Sequence, residues 1–222
     1  MNEPDAPYPP PERLAFPEDE AVYPWLSRLL DAYYKADQGV AEGVRRAEGE
    51  GRRLACARGC AACCETHATI PVYPLELMGL SWYATEKLAE PWRGRLQRQL
   101  REGSEGCPFL VDGVCAVHPL RPMACRHFNV FDRPCAEDED PYYSRREDVL
   151  TPIARFKDAA LEATLPFYGI KTKQERRRAM KSGAVHRMAR VMKACNWPSL
   201  AERMAGFDRK AGGEVSPDCP PD

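Results

Sequence analysis

No stretch of this chain approaches the roughly 18 consecutive apolar residues that a membrane-spanning helix needs, so no membrane span is expected. The opening residues, Met1 to Glu12, are acidic and rich in proline. They carry no basic segment followed by an apolar one and a small-residue cleavage site, so no secretory signal is expected and the compartment is read as cytoplasmic. Charge of one sign is also missing. With 32 basic and 33 acidic residues the formal net charge is −1, which argues for no particular partner. No glycine-rich strand-to-helix motif provides a nucleotide site, and no series of apolar strands alternates with helices as a parallel α/β fold requires. The acidic residues from Asp132 to Asp140 lack calcium-loop spacing and read as a solvated loop.

What the chain has in abundance is cysteine. Eight of its ten cysteines fall in one window, as Cys56, Cys60, Cys63 and Cys64, then Cys107, Cys115, Cys125 and Cys135. Thiolates bind soft and borderline metals strongly, and spacings such as C-x3-C and C-x2-C let one loop place several sulfurs around one ion or cluster. Disulfides, the competing use, belong to oxidising compartments and small secreted domains. A cytosolic chain keeps its thiols reduced, so metal ligation is the preferred reading. The window is rich in Gly, Pro and Arg, and a metal clamp would help to order it.

The rest reads as a mainly α protein: one helical domain, residues 21–210, with one small β-hairpin, organised around a cysteine metal centre. Residues 1–20 are expected to form a disordered leader and residues 211–222 a disordered tail. Trp25, Leu26, Leu29, Leu30 and Tyr33 form an apolar stripe on a helix from Tyr23 to about Arg46. Pro74 suits the first turn of a second helix and Pro91 the start of a third, whose Trp92, Leu96 and Leu100 recur every four residues before Gly103 ends it. Asp112-Gly113 predicts a tight hairpin placing Cys107 and Cys115 on neighbouring strands. The segment after Arg121-Pro122 begins a short helix that returns Cys125. Two long helices are expected over 147–167 and 174–194, separated at Gly169, and a shorter one over 199–206.

The spacing of Cys56, Cys60 and Cys63 is similar to the C-x3-C-x2-C of radical S-adenosylmethionine enzymes, but Ala62 stands where those carry an aromatic residue, and no barrel pattern accompanies it. A second resemblance covers more residues. Cys56-x-x-Gly59-Cys60-x-x-Cys63-Cys64, followed by Cys107-Pro-Phe-Leu110, Gly113-Val-Cys115, Arg121-Pro122 and Cys125-Arg126, resembles the YkgJ-like cysteine-cluster family, whose proteins are described as zinc- or iron-chelating. The resemblance spans residues 56–128 and implies metal or iron-sulfur binding. A related cysteine pattern in flagellin lysine methylases implies protein modification as an alternative activity. Cys135 is an addition to the pattern.

A single structural zinc uses four ligands, too few to occupy eight cysteines. Adjacent Cys63 and Cys64 point their side chains apart, which suits different ions or different irons of one cluster, so an iron-sulfur cluster, [4Fe–4S], is favoured over zinc. Arg121 and Arg126 flank Cys125 and are candidates to offset the negative charge of a thiolate site; a surface salt bridge is the ordinary alternative. His186 and Cys195 read as structural residues and Cys219 as a free thiol. Lys171, Lys173, Arg176, Arg177, Arg178, Lys181, Arg187, Arg190 and Lys193 form a basic run. Without interleaved exposed aromatics it reads as a solvated surface, and a nucleic-acid partner is not expected. The functional reading is a cysteine-rich metal-binding protein, structural or in metal handling; the alternative is an iron-sulfur enzyme acting on a protein or small molecule.

Overall fold

The computed structural model describes residues 8–67 and 69–212, with side chains through residue 209. Proline opens several of its helices. Fixed at φ near −65° and lacking an N–H that would go unused there, Pro17 and Pro24 start α1 (Pro17–Val22) and α2 (Pro24–Gly49). The expected leader is therefore part of the fold from at least Arg13 onward. Arg13 ion-pairs with Glu20 at 2.8 Å and Asp31 at 2.6 Å, and Phe16 meets Trp82 edge-on at 5.1 Å. Composition hid this because the few apolar residues of the segment, Leu14 and Phe16, all dock on the core. Residues 1–7 lie outside the described residues, as does the expected tail beyond Gly212.

The apolar stripe of α2 is buried as its period requires, with Leu26, Leu29, Ala32 and Ala36 fully covered. A loop carrying the first four cysteines follows, with α3 (Ala62–Thr66) inside it, then β1 (Pro71–Val72) and α4 (Pro74–Trp82), which runs on into a wider turn at Tyr83–Lys87. Next come α5 (Trp92–Glu102), closed by Gly103 at φ 87°, and a hairpin of β2 (Leu110–Val111) and β3 (Val114–Cys115). Asp112 and Gly113 both take positive φ, 48° and 74°, the geometry a two-residue turn needs to match strand twist. Leu110 pairs with Cys115. Cys107 precedes the hairpin rather than lying on its first strand, because the pairing is only two residues deep.

After the hairpin, α6 (Met123–His127) carries Cys125, and α7 (Pro141–Ser144) and α8 (Ala154–Thr164) follow. The long helix expected from 147 starts only at Ala154, because Val149 to Ile153 are extended and Val149 bridges Val130. The next expected helix is also shorter. α9 (Lys173–Lys181) begins with a Thr172–Glu175 capping box and stops before Gly183, which takes φ 64°. The chain then forms β4 (Arg190–Val191), antiparallel to β1, a second small sheet beside the expected hairpin. Two-residue strands leave too little alternation to read. α10 (Trp197–Gly212) is longer than expected at both ends.

The fold is mainly α, as expected. One apolar cluster joins α2, α4, α5, the hairpin, α8 and α10 around Leu29, Leu75, Leu96, Phe109, Leu161 and Met204. The cysteine loops hang on this frame.

Candidate metal centre

Backbone pairing brings the separated cysteine segments together. Ala55 N donates to Val130 O at 2.8 Å, Leu54 bridges Phe131, and the Val130 amide donates to Cys56 Sγ at 3.2 Å. This ladder ties the start of the first loop to the segment between Cys125 and Cys135. A second tie joins the end of that loop to the pre-hairpin turn: Cys107 N donates to Cys64 O at 2.7 Å. A Cβ on Gly106 would come within 2.9 Å of that same carbonyl, so the residue before Cys107 must be glycine for the two segments to meet this closely.

The nine cysteines described are all free thiols, so disulfides do not account for the cluster. Cys63 is its hub. The thiols of Cys63, Cys64 and Cys107 influence one another: Cys107 and Cys63 raise the pKa of Cys64, while Cys64 lowers theirs. Cys115 and Cys125 lie within the field of Cys63 and Cys107, and burial pushes both thiols up, Cys115 to about 11. On the other side, Cys56 feels Cys60, Cys63 and Cys135, and burial raises it to about 11; Cys135 feels Cys60 and Cys63. The thiols thus form an inner group at Cys63, Cys64, Cys107, Cys115 and Cys125 and an outer group at Cys56, Cys60 and Cys135. Cys60 is exposed and Cys107 buried.

As the side chains stand, no three His, Cys, Asp or Glu among the described residues are arranged around one ion. The donor set fits a thiophilic ion by chemistry: reduced sulfurs from three loops, with neighbours that lose protons on binding.

The two candidate arginines separate. Arg121 is half-buried, and its charge favours the thiolates of Cys63 and Cys115, for Cys115 against the larger effect of burial. Arg126 turns away from the sulfurs. Its side chain is 3% exposed and pairs with Asp37 of α2 at 2.5 Å, lies 4.0 Å from the centre of the Tyr33 ring and donates to the carbonyls of Pro119 and Arg121. It fastens α6 to α2, so its effect on Cys125 is one of position.

Sequence reasoning gave three residues here no role in the site. Glu76, fully buried, accepts from Tyr73 N at 2.9 Å and from Met123 N at 2.7 Å, linking the start of α4 to the start of α6. His67 packs edge-on to Phe128 at 4.3 Å, with Asp140 Oδ1 3.2 Å from Nε2 but out of line for a hydrogen bond. Met192 places its Sδ 3.8 Å from Cys107 Sγ. A glutamate at the third helical position is a sequence signal for the Glu76–Tyr73 half of that contact; the other two have none. His186 Nδ1 lies 2.9 Å from the Tyr73 hydroxyl. The acidic loop is engaged by Arg145, whose Nε lies 2.9 Å from Glu139.

Free thiols from three loops on a helical frame define a cysteine-cluster protein. Residues 55–149 match the family model CxxCxxCC, described as "Putative zinc- or iron-chelating domain", and over this segment the chain is similar to that family. The match takes in all eight candidate ligands and leaves α1, α2, α8, α9 and α10 outside. No curated protein and no solved structure matches the chain.

Proposed function

We propose that the chain is a metal-binding protein whose centre is held by Cys56, Cys60, Cys63, Cys64, Cys107, Cys115, Cys125 and Cys135, and that the centre is an iron-sulfur cluster in preference to zinc. The observation that carries this reading is the backbone pairing that joins the cysteine segments, Cys107 N to Cys64 O at 2.7 Å and Ala55 N to Val130 O at 2.8 Å, with the Val130 amide on Cys56 Sγ. One tetrahedral zinc would leave half of these sulfurs idle. A multinuclear centre uses adjacent Cys63 and Cys64 on different metal atoms. Arg121 offsets part of the negative charge that such a centre carries. An iron-sulfur centre supplies one-electron chemistry, whereas zinc supplies a structural clamp; the protein's part is to hold the sulfurs and shield the inner ones from water. The role is structural or in metal handling.

Anaerobic purification with iron, zinc and sulfide analysis tests the reading. A brown protein with iron and acid-labile sulfide, bleached on reduction or in air, is the expected result. Stoichiometric zinc without sulfide would overturn the iron-sulfur assignment. A protein that takes up neither ion would overturn metal binding itself.

A further inference from the structure

Met192 lies outside the segment matched by the family, yet its sulfur reaches the inner thiols. Its side chain is buried, 2% exposed, and Sδ stands 3.8 Å from Cys107 Sγ. Two sulfurs bound to one tetrahedral ion at about 2.3 Å are themselves about 3.8 Å apart, so this pair already has the spacing of two corners of a coordination tetrahedron. The position is enforced by several contacts. Met192 N donates to Ile70 O at 2.9 Å as β4 leaves β1, and its carbonyl accepts from Trp197 Nε1 at 2.8 Å. Trp197 meets Phe109 edge-on at 4.8 Å, and Lys193 Nζ donates to the Glu105 carbonyl. The segment from β4 to Trp197 is thereby strapped across the turn that carries Cys107.

We infer that Met192 is a ligand of the centre at the Cys107 corner, donating a neutral thioether where the other corners are thiolates. This rests on the cysteines being metal ligands, as proposed above. A thioether is a soft donor and adds no charge, so the site is suited to a soft ion or to an iron of a cluster, and carries one negative charge fewer than an all-thiolate site. Cys107 and Met192 enter from opposite sides of the family segment's boundary, which makes the C-terminal strap part of the site.

Selenomethionine-labelled protein, loaded anaerobically with ferrous iron and sulfide and in parallel with zinc, tests this by X-ray absorption at the selenium edge. The chain has seven methionines, so the same measurement on Met192→Leu, which keeps the volume and loses the sulfur, identifies the origin of any signal. The expected result is a selenium–metal shell in the labelled wild type, absent from Met192→Leu, with metal release to a chelator about tenfold faster in the variant. Fully loaded wild-type protein without a selenium–metal shell would overturn the ligand role and leave the cysteine centre standing. Protein that takes up no metal by elemental analysis would overturn both. If Met192→Leu does not fold, Met192→Ile supplies the same comparison.

Discussion

Glu76 shows how much one buried side chain governs here. Burial drives its carboxyl from an ordinary 4.5 to about 7, outweighing the two backbone N–H groups and the Arg126 charge that favour ionisation. The folded protein therefore binds a proton more tightly than the unfolded chain. The resulting stabilisation is complete below about pH 4.5 and is lost as pH rises through about 7, to the extent of about 3 kcal/mol. His127 acts in the opposite direction: burial lowers it to about 4, so its contribution is present above about pH 6.5 and lost as pH falls. Comparing wild type with Glu76→Gln at each pH removes the histidine from the difference. Glutamine has one carbonyl oxygen for two N–H donors, so Glu76→Gln is expected to cost about 1–3 kcal/mol. Urea unfolding should show the gap between the two proteins narrowing from pH 5 to pH 7.5; a gap that stays level or widens would count against proton binding by Glu76. At this scale the sequence disclosed the cysteines, through spacing, but not Glu76 or Met192. Their roles depend on contacts to residues 47 and 85 positions away, which no local pattern encodes.

Among the elements, the most extensive helix pairing is α2 on α8, and two glycines of α2 face that side of the molecule. A Cβ at Gly39 would lie 2.6 Å from Phe156 Cβ, and one at Gly43 would lie 2.8 Å from Leu150 Cδ1. The Phe156 atom is fixed to its own backbone and cannot swing aside. Gly39→Ala should therefore destabilise by about 1–3 kcal/mol through overpacking, although alanine is the better helix former by about 1 kcal/mol. Gly49, at the end of the same helix, has nothing within 4 Å of such a Cβ. Gly49→Ala should be neutral or stabilising by up to about 1 kcal/mol. Thermal unfolding of the pair decides: equal effects at both positions would mean that α2 and α8 do not pack this closely. Helices α2, α4 and α5 were legible because apolar periodicity, proline starts and Gly103 agreed. The end of α9 at Gly183 and the pairing of β1 with β4 were not, since a basic run carries no apolar period and a two-residue strand carries no alternation.

For the whole molecule, the family segment is not a self-contained unit. Residues 55–149 supply the cysteines, Leu75, Leu96 and Phe109, but their apolar cluster is completed by Leu26, Leu29 and Tyr33 before the segment and by Leu161, Leu165 and Met204 after it. Arg126 finds its carboxylate on α2, and Cys107 its thioether beside β4. A fragment limited to 55–149 would expose the faces that α2, α8 and α10 cover and lose the contacts of Arg126 with Asp37 and Tyr33. Against a typical total stability of about 5–15 kcal/mol, the fragment is expected to be unfolded without metal, while the full chain keeps its helical frame when stripped by a chelator. Far- and near-ultraviolet circular dichroism of the two metal-free proteins checks both halves. A cooperative thermal transition in the apo fragment, or loss of the near-ultraviolet signal in the apo full chain, would place the folding energy in the cysteine centre instead of in the helices around it.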